Sequence, residues 1–513
     1  MKRIWLAALA VTSALALSGA VLAQQAANPP PAPIDIQIPP RKLQAPVPAL
    51  LQSRAHEIYT TTCSGCHQLS DQPGPNGPSL FNMNMLNNRT DAQIVKAITE
   101  GVPGTKMPSF KTMFFEHEIA QMSAYFRIRG GIMARRAGPV PDINGKVFKT
   151  QKQNFKAETL AKGLNQPWGM AFLPDGRMIL TERSGPVRFL DKNGKLSEPV
   201  KGTPTVFERQ DGGMLDIALH PDFARNGWIY LSYSTVPPGY AVQPGENTAP
   251  NVSAPTNTYI VRGRINANHE WVDQQILFQP PADSYRVAAD HYGTRILFDG
   301  KGHFFWTLGD RHDMQMSQNL ASPLGKIFRL NDDGSIPADN PFVRTPGALH
   351  SVWSYGHRNP EGIAFDPATG DMWESEHGPV GGDEINIVEP GKNYGWGMAT
   401  KGLEPGISRL SVTGGTEPIT FYNPAIGPAG MNFYTGDRYP GWKGNLFMAA
   451  MVGQRLIRYE IKDRQIVSQE VMLQDHGRIR TVVQGPDGLF YLGLQNMNGD
   501  PKGGSIVRLV PVK

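Results

Sequence analysis

The sequence predicts a multidomain chain in which a small all-α domain precedes an all-β six-bladed propeller. Three observations carry that expectation. Glycine (55) and proline (44) make up nearly a fifth of the 513 residues while charged residues reach only 19%, a balance that favours turn-rich β-structure over long helices. An apolar strand running into an Asp/Gly/Pro turn recurs six times after residue 155, the mark of a repeat architecture. Between residues 49 and 131 apolar residues recur at helical spacing instead. Nine Trp, 15 Tyr and 22 Phe within a 40% hydrophobic composition supply a sizeable core and exclude global disorder.

Taken in chain order, residues 1–23 read as an export signal: Lys2-Arg3, an apolar run from Ile4 to Leu17, then Val21-Leu22-Ala23 before Gln24. The run is too short to span a bilayer and no later stretch is long enough, so the mature protein is expected in the periplasm without a transmembrane segment. Losing Lys2 and Arg3 takes the net charge from +5 to +3. So small a charge, without Lys/Arg blocks, offers nucleic acid no footprint. Residues 24–48 carry proline runs such as Pro29-Pro30-Pro31 that stiffen the chain into a tether.

Residues 49–131 form the helical unit. Leu51, Ala55, Ile58 and Tyr59 share one face. Thr90-Asp91-Ala92-Gln93 is a capping box opening a helix that Gly101 stops, and a third helix through Ile119, Met122 and Phe126 is expected to end near Gly130. Residues 132–154 read as a second linker. From 155 to 513 the repeats begin at Gly169-Met-Ala-Phe, Asp216-Ile-Ala-Leu, Arg295-Ile-Leu-Phe, Gly362-Ile-Ala-Phe, Gly430-Met-Asn-Phe and Thr481-Val-Val-Gln. Their spacing suits four-stranded blades with variable loops, and six repeats imply six blades.

The only two cysteines lie in Cys63-Ser-Gly-Cys66-His67. Two thiols at helical spacing followed at once by imidazole are the attachment pattern of a c-type haem, with His67 on the iron. Met107, in a loop between two helices and followed by Pro108, is the expected second axial ligand, ahead of Met83 and Met85. A Met/His pair leaves no open iron position, so this haem should carry electrons. The region resembles a class I cytochrome c domain.

An electron carrier fused to a large domain implies a partner reaction there. Polar clusters follow the apolar strands: Asp290-His291, Gly309-Asp310, His357-Arg358-Asn359, Glu376-His377-Gly378-Pro379, Asp383-Glu384 and Arg478-Ile-Arg480. Blade loops converge on one mouth of a propeller, where distant segments meet. Arg478 and Arg480 flank one Ile and should share a strand face, an arrangement that suits a planar carboxylate. Carboxylates and free carbonyls in a Gly-rich loop suit either a turn or calcium.

These segments, with Gln166-Pro-Trp-Gly-Met-Ala-Phe, Leu219-His-Pro-Asp-Phe and Asn393-Tyr-Gly-Trp, resemble the quinoprotein glucose/sorbosone dehydrogenase family over most of residues 155–510. The resemblance implies an oxidoreductase acting on CH–OH groups of a sugar or aldehyde, with pyrroloquinoline quinone (PQQ) and calcium. It assigns His291 as the base, Asp310 as the carboxylate beside it and Arg358 with Asn359 to the quinone oxygens. Arg478 and Arg480 become carboxylate clamps, and Asp211 and Asp290 further cofactor neighbours. The carbonyls of Gly378 and Pro379 would hold an active-site calcium, and Glu384 with the Tyr394 carbonyl a structural one. Hydride would pass to the quinone and single electrons to the haem, then to a respiratory cytochrome or quinone pool. The chain departs from the family at Asp211 and His377, where it has Gln, and at Val452, where it has Lys. A propeller without PQQ that binds carbohydrate on an electron-transfer arm is the alternative these departures leave open.

Overall fold

The computed structural model describes residues 54–512 except 56, 69–72, 83–84, 87, 138–141, 244–253, 380, 403, 405–406, 408, 423–424 and 496–501. The leader, the first tether, Leu51 and Met83 lie outside the described residues. No helix among those described is long and apolar enough to cross a membrane.

In the helical domain a π-helical turn (Tyr59–Cys63) leads into α1 (Ser64–His67), followed by α2 (Asp91–Glu100) and α3 (Glu116–Ala137). The capping box forms as expected: Thr90 Oγ1 accepts from Gln93 N and Gln93 Oε1 from Thr90 N. Gly101 ends the helix at φ 75°. Tyr59, Phe81, Tyr125 and Phe126 build the core, with Tyr59 and Phe81 centroids 4.7 Å apart. Arg127 fastens α3 across it, bonding Asp91 at 2.6 Å and the Leu86 and Arg89 carbonyls. Contrary to expectation α3 does not stop at Gly130 but continues to Ala137. Glycine costs a helix only about 1 kcal/mol, and Met133-Ala134-Arg135-Arg136 favour continuation.

The remainder forms six antiparallel sheets. Their innermost strands are Pro167–Phe172 (blade I), Met214–Leu219 (II), Ile296–Phe298 (III), Pro360–Phe365 (IV), Pro428–Phe433 (V) and Arg478–Gln484 (VI). Each contains, or begins beside, one of the six repeated motifs. The motif glycines explain why. A Cβ on Gly169 would lie 2.7 Å from Asp216 Oδ1, one on Gly362 would strike the Ala429 carbonyl, and one on Gly430 would reach 3.0 Å from Thr481 Cα. Innermost strands of neighbouring blades approach where a side chain has no room.

Blade VI is closed by the chain's other end. Phe155–Leu164 pairs with Gly504–Pro511, from Phe155↔Pro511 to Leu164↔Gly504, so the first long strand completes the last sheet. Val147–Phe148 adds a further strand against Phe155 and Lys156. Part of the stretch 132–154, which its sequence presents as a linker, is thereby built into α3 and blade VI.

Candidate active site

Chain direction determines which loops meet. Asp211, Asp290-His291, Arg358-Asn359 and Arg478 stand just before or at the start of innermost strands, while Asp310 and His377-Gly378-Pro379 follow second strands. In antiparallel blades those positions share one end of the propeller.

At that end His291 Nδ1 lies 2.6 Å from Asp310 Oδ1, with both residues buried. The second Asp310 oxygen accepts from Trp396 Nε1 at 2.6 Å, and Oδ1 also accepts the His312 amide at 2.9 Å. Burial alone would raise the Asp310 carboxyl, yet the bond and charge of His291 and the bond from Trp396 outweigh it and hold it below the usual carboxylate range. An ionised Asp310 requires the hydrogen on His291 Nδ1, which leaves Nε2 with a lone pair. Burial, and then Arg358, push His291 below the ordinary histidine range. The group is therefore a neutral imidazole near pH 7, able to take a proton at Nε2.

Arg358 donates to the His377 carbonyl at 3.1 Å, and its guanidinium carbon lies 5.2 Å from the Trp396 ring centroid. Its Nε is buried without a partner among the described residues. A hollow beside it is lined by His377, Gly378, Trp396, Ala399 and Thr400. An unpartnered guanidinium nitrogen next to an indole, with the Gly378 and Pro379 carbonyls nearby in the chain, matches in donor chemistry an anionic group and a divalent cation. Below it Asp383 orders the loop, accepting from Gly378 N at 2.8 Å and Gly427 N at 2.7 Å.

On the second and third strands of the same blade Glu374, Glu376, Glu384 and Asn386 form a polar cluster in which Asn386 Nδ2 bonds Glu374 at 3.0 Å. Glu374 Oε1 and Asn386 Oδ1 are buried without partners among the described residues. Burial and then the neighbouring Glu376 raise both Glu374 and Glu384 well above the ordinary range. Concentrated unpaired oxygen donors of this kind match a hard cation. Tyr394 stacks on His357 beside them at 4.6 Å.

Asn359 accepts Gly293 N at 2.9 Å and donates to Glu361 at 3.1 Å. Arg478 and Arg480 do not end in the shared surroundings that strand alternation suggests. The ladder slips between Ile479 and Thr481; Arg480 ion-pairs with buried Glu361, while half-buried Arg478 lies 3.7 Å from Met451 Sδ. Asp211 is tied through its amide to the Ala289 carbonyl at 3.1 Å, next to the Asp290 loop.

Sequence reasoning named Arg295 in the polar cluster that begins at Asp290 but gave it no role, and did not foresee the floor it builds. Arg295 bonds the Glu361 and Arg480 carbonyls at 2.7 and 2.8 Å and pairs with Asp216 at 3.3 Å. Arg295 and Arg480 lie over Trp168 at 4.2 and 5.2 Å. Residues of blades I, II, IV and VI meet Arg295, which precedes blade III, in one buried charge cluster. It also missed His312, two residues beyond Asp310, and gave no role to Trp396 of the Asn393-Tyr-Gly-Trp motif.

In the helical domain His67 Nδ1 lies 2.7 Å from the Pro78 carbonyl, which orients the ring and frees Nε2 for a metal. Cys63 and Cys66 are unpaired thiols one turn away. Met107 is half-buried against the core, its carbonyl accepting Val102 N at 3.1 Å. A Cβ on Gly77 would fall 2.6 Å from His67 Nδ1. Gly77→Ala is expected to rotate that ring and cut the yield of low-spin holocytochrome severalfold, read from the ferrous absorbance spectrum.

Residues 164–508 match the family model described as glucose/sorbosone dehydrogenase, and 51–126 that of the cbb3-type cytochrome c oxidase subunit III. An aldose sugar dehydrogenase of Escherichia coli is 37% identical over 353 residues, covering 67% of this chain and 91% of that protein. The apo crystal structure of the soluble E. coli aldose sugar dehydrogenase superposes with a TM-score of 0.63 at 34% identity, over 70% of this chain and all of that one. The PQQ-bound aldose sugar dehydrogenase of Streptomyces coelicolor gives 0.55 at 27% identity, over 72% and 100%. With two thirds of its length matched, the chain belongs to the glucose/sorbosone dehydrogenase family and carries a cytochrome c domain ahead of the propeller.

Proposed function

We propose that the protein is a periplasmic aldose dehydrogenase that uses PQQ and calcium and delivers its reducing equivalents to its own c-type haem and then to a respiratory carrier. The observation that carries this reading is the His291–Asp310 pair, buried at the propeller mouth within reach of Arg358's unanswered edge. PQQ, when bound, supplies a two-electron acceptor that calcium polarises. Arg358 and Asn359 would face its quinone oxygens, Arg478 its carboxylates, with Asp211 and Asp290 alongside. Arg480, engaged by Glu361, contributes chiefly by fixing Asn359 through that shared carboxylate. The Gly378 and Pro379 carbonyls would hold the active-site calcium, and Glu384 with the Tyr394 carbonyl the structural one.

The chain's own chemistry is proton removal. His291 Nε2 accepts the hydroxyl proton of the substrate carbon that is oxidised, and Asp310 stabilises the resulting imidazolium without taking the proton itself. Cys63 and Cys66 would bind the haem covalently, with His67 and Met107 on its iron.

The test is reconstitution. Purified holocytochrome given PQQ and calcium should reduce an artificial dye with aldoses, and sugar should bleach its oxidised haem spectrum in stopped flow. Met107→Ala should keep dye reduction and lose fast haem reduction. Failure of the wild type to bind PQQ at all would favour the carbohydrate-binding propeller, with Asp211 and Val452 as the reason.

A further inference from the structure

His312 has no role in the reading above, yet the fold goes to some length to hold it against His291. The two imidazoles stack with centroids 4.0 Å apart and planes inclined by 20°. His312 Nε2 is ion-paired with Asp290, and its amide donates to Asp310 at 2.9 Å. One short segment thus touches the base, the residue before it and the carboxylate that orients it.

The segment is not a loose turn. His291, Arg311 and His312 all have left-handed backbones, at φ 58°, 51° and 61°. Each such non-glycine conformation costs on the order of 1 kcal/mol or more and persists only when surroundings enforce it. Arg311 is the enforcing residue. Its side chain is 1% exposed and donates to the Ala288 carbonyl at 2.7 Å, to Thr256 Oγ1 at 2.8 Å and to the Asp290 carbonyl. Its guanidinium lies 3.5 Å over the Tyr292 ring. One buried cation therefore ties the loop carrying Asp290 and His291 to the loop carrying Asp310 and His312. The His312 side chain is half exposed, so packing of a core does not account for this construction.

We propose that His312 is a positioning residue for the base: clamped by Asp290, its ring fixes the plane of His291 while its amide fixes Asp310, so that Nε2 presents one direction to the substrate. This rests on the assignment of His291 as the base. Charge acts in the same sense. The bond from Asp290 raises His312 above the ordinary histidine range, so it carries a proton where His291 does not. The cations facing the pair are Arg358 and, through Asp290, Arg311. The anions are Asp290, Asp310 and the partly buried Glu404, which faces His312, Asp310 and Arg358. A second cation 4 Å away disfavours the protonated base, which favours return of its proton to water.

Histidine NMR titration of the holocytochrome without PQQ reads this directly, and no variant is needed for its first outcome. His312 should titrate above His291; the reverse order overturns the proposal. His312→Asn, which tolerates a left-handed backbone, should raise the His291 midpoint by about half a unit, roughly threefold in its acid constant. In the PQQ-loaded enzyme the same variant should lose about tenfold in kcat with KM for sugar little changed, since a base out of line affects the chemical step. His312→Phe keeps the stacked ring without its charge. Having no nitrogen for Asp290 to hold, it should share the loss in kcat as well as the displaced acid limb. An unmoved His291 midpoint together with an unchanged kcat in His312→Asn sinks the proposal. An inactive wild type sinks the assignment of the base instead, and leaves the titration to decide whether His312 orders the ring.

Discussion

His291→Ala should lower kcat of the PQQ-reconstituted protein by about a thousandfold, within the range lost when a positioned general base is removed, while PQQ affinity stays within a few-fold. The side chain has one bonded neighbour, Asp310 at 2.6 Å, and one stacked neighbour, His312. Its loss therefore leaves Arg358, Asn359 and Arg478 in place. The acid limb of the wild-type pH profile should lie below an ordinary histidine, because burial and Arg358 disfavour the charged imidazole. Activity is lost as pH falls through that depressed value, once Nε2 is protonated and has no lone pair to offer. Steady-state kinetics across pH, beside a fluorescence titration with PQQ, separate the two effects. Turnover within tenfold of wild type would remove His291 from the chemistry.

The largest loss of stability is expected from Glu361→Ala. Glu361 is 1% exposed and holds both Arg480 and Asn359. Burial would raise its carboxyl, but Arg480, His377 and Arg295 outweigh that and keep it below the usual range. Removing it strands the Arg480 charge, 3% exposed, in a buried site without its partner, a loss of about 3–5 kcal/mol. For a propeller of this size that is a fall of roughly 5 °C in Tm. The double variant Glu361→Ala/Arg480→Ala should recover part of the loss, because most of it is the orphaned charge and not the missing bond. Calorimetry of the three proteins checks this. A double variant less stable than the sum of the singles would show that the pair is not the unit that matters.

Local sequence carries much of the architecture. Thr90-Asp91-Ala92-Gln93 caps its helix because both bonds lie within four residues. Three of the six motifs mark innermost strands through a glycine, at 169, 362 and 430, because a neighbouring blade leaves no room there for a side chain. The haem motif is equally local, since Cys63, Cys66 and His67 are brought together by a single helical turn.

Whatever depends on distant pairing was illegible. α3 ran on past Gly130-Gly131 because a weak breaker does not stop a helix whose following residues favour it. The strand Phe155–Leu164 carries no sign that its partner lies at Gly504–Pro511. The slip between Ile479 and Thr481, which parts Arg478 from Arg480, is a property of the ladder and not of the three residues.

The amino-acid order by itself determined which residues could do chemistry here: a covalent haem motif, a histidine before one strand and an aspartate after the next, arginines at a blade edge. Only tertiary structure decided how they are used. It assigned one arginine to a buried glutamate, left another with an unanswered edge, and laid a second imidazole on the first. The reason is physical: a strand's neighbours beyond its own hairpin are set by blade closure, and burial, which decides whether a charge is paired, shifted or free, exists only once the six sheets have met.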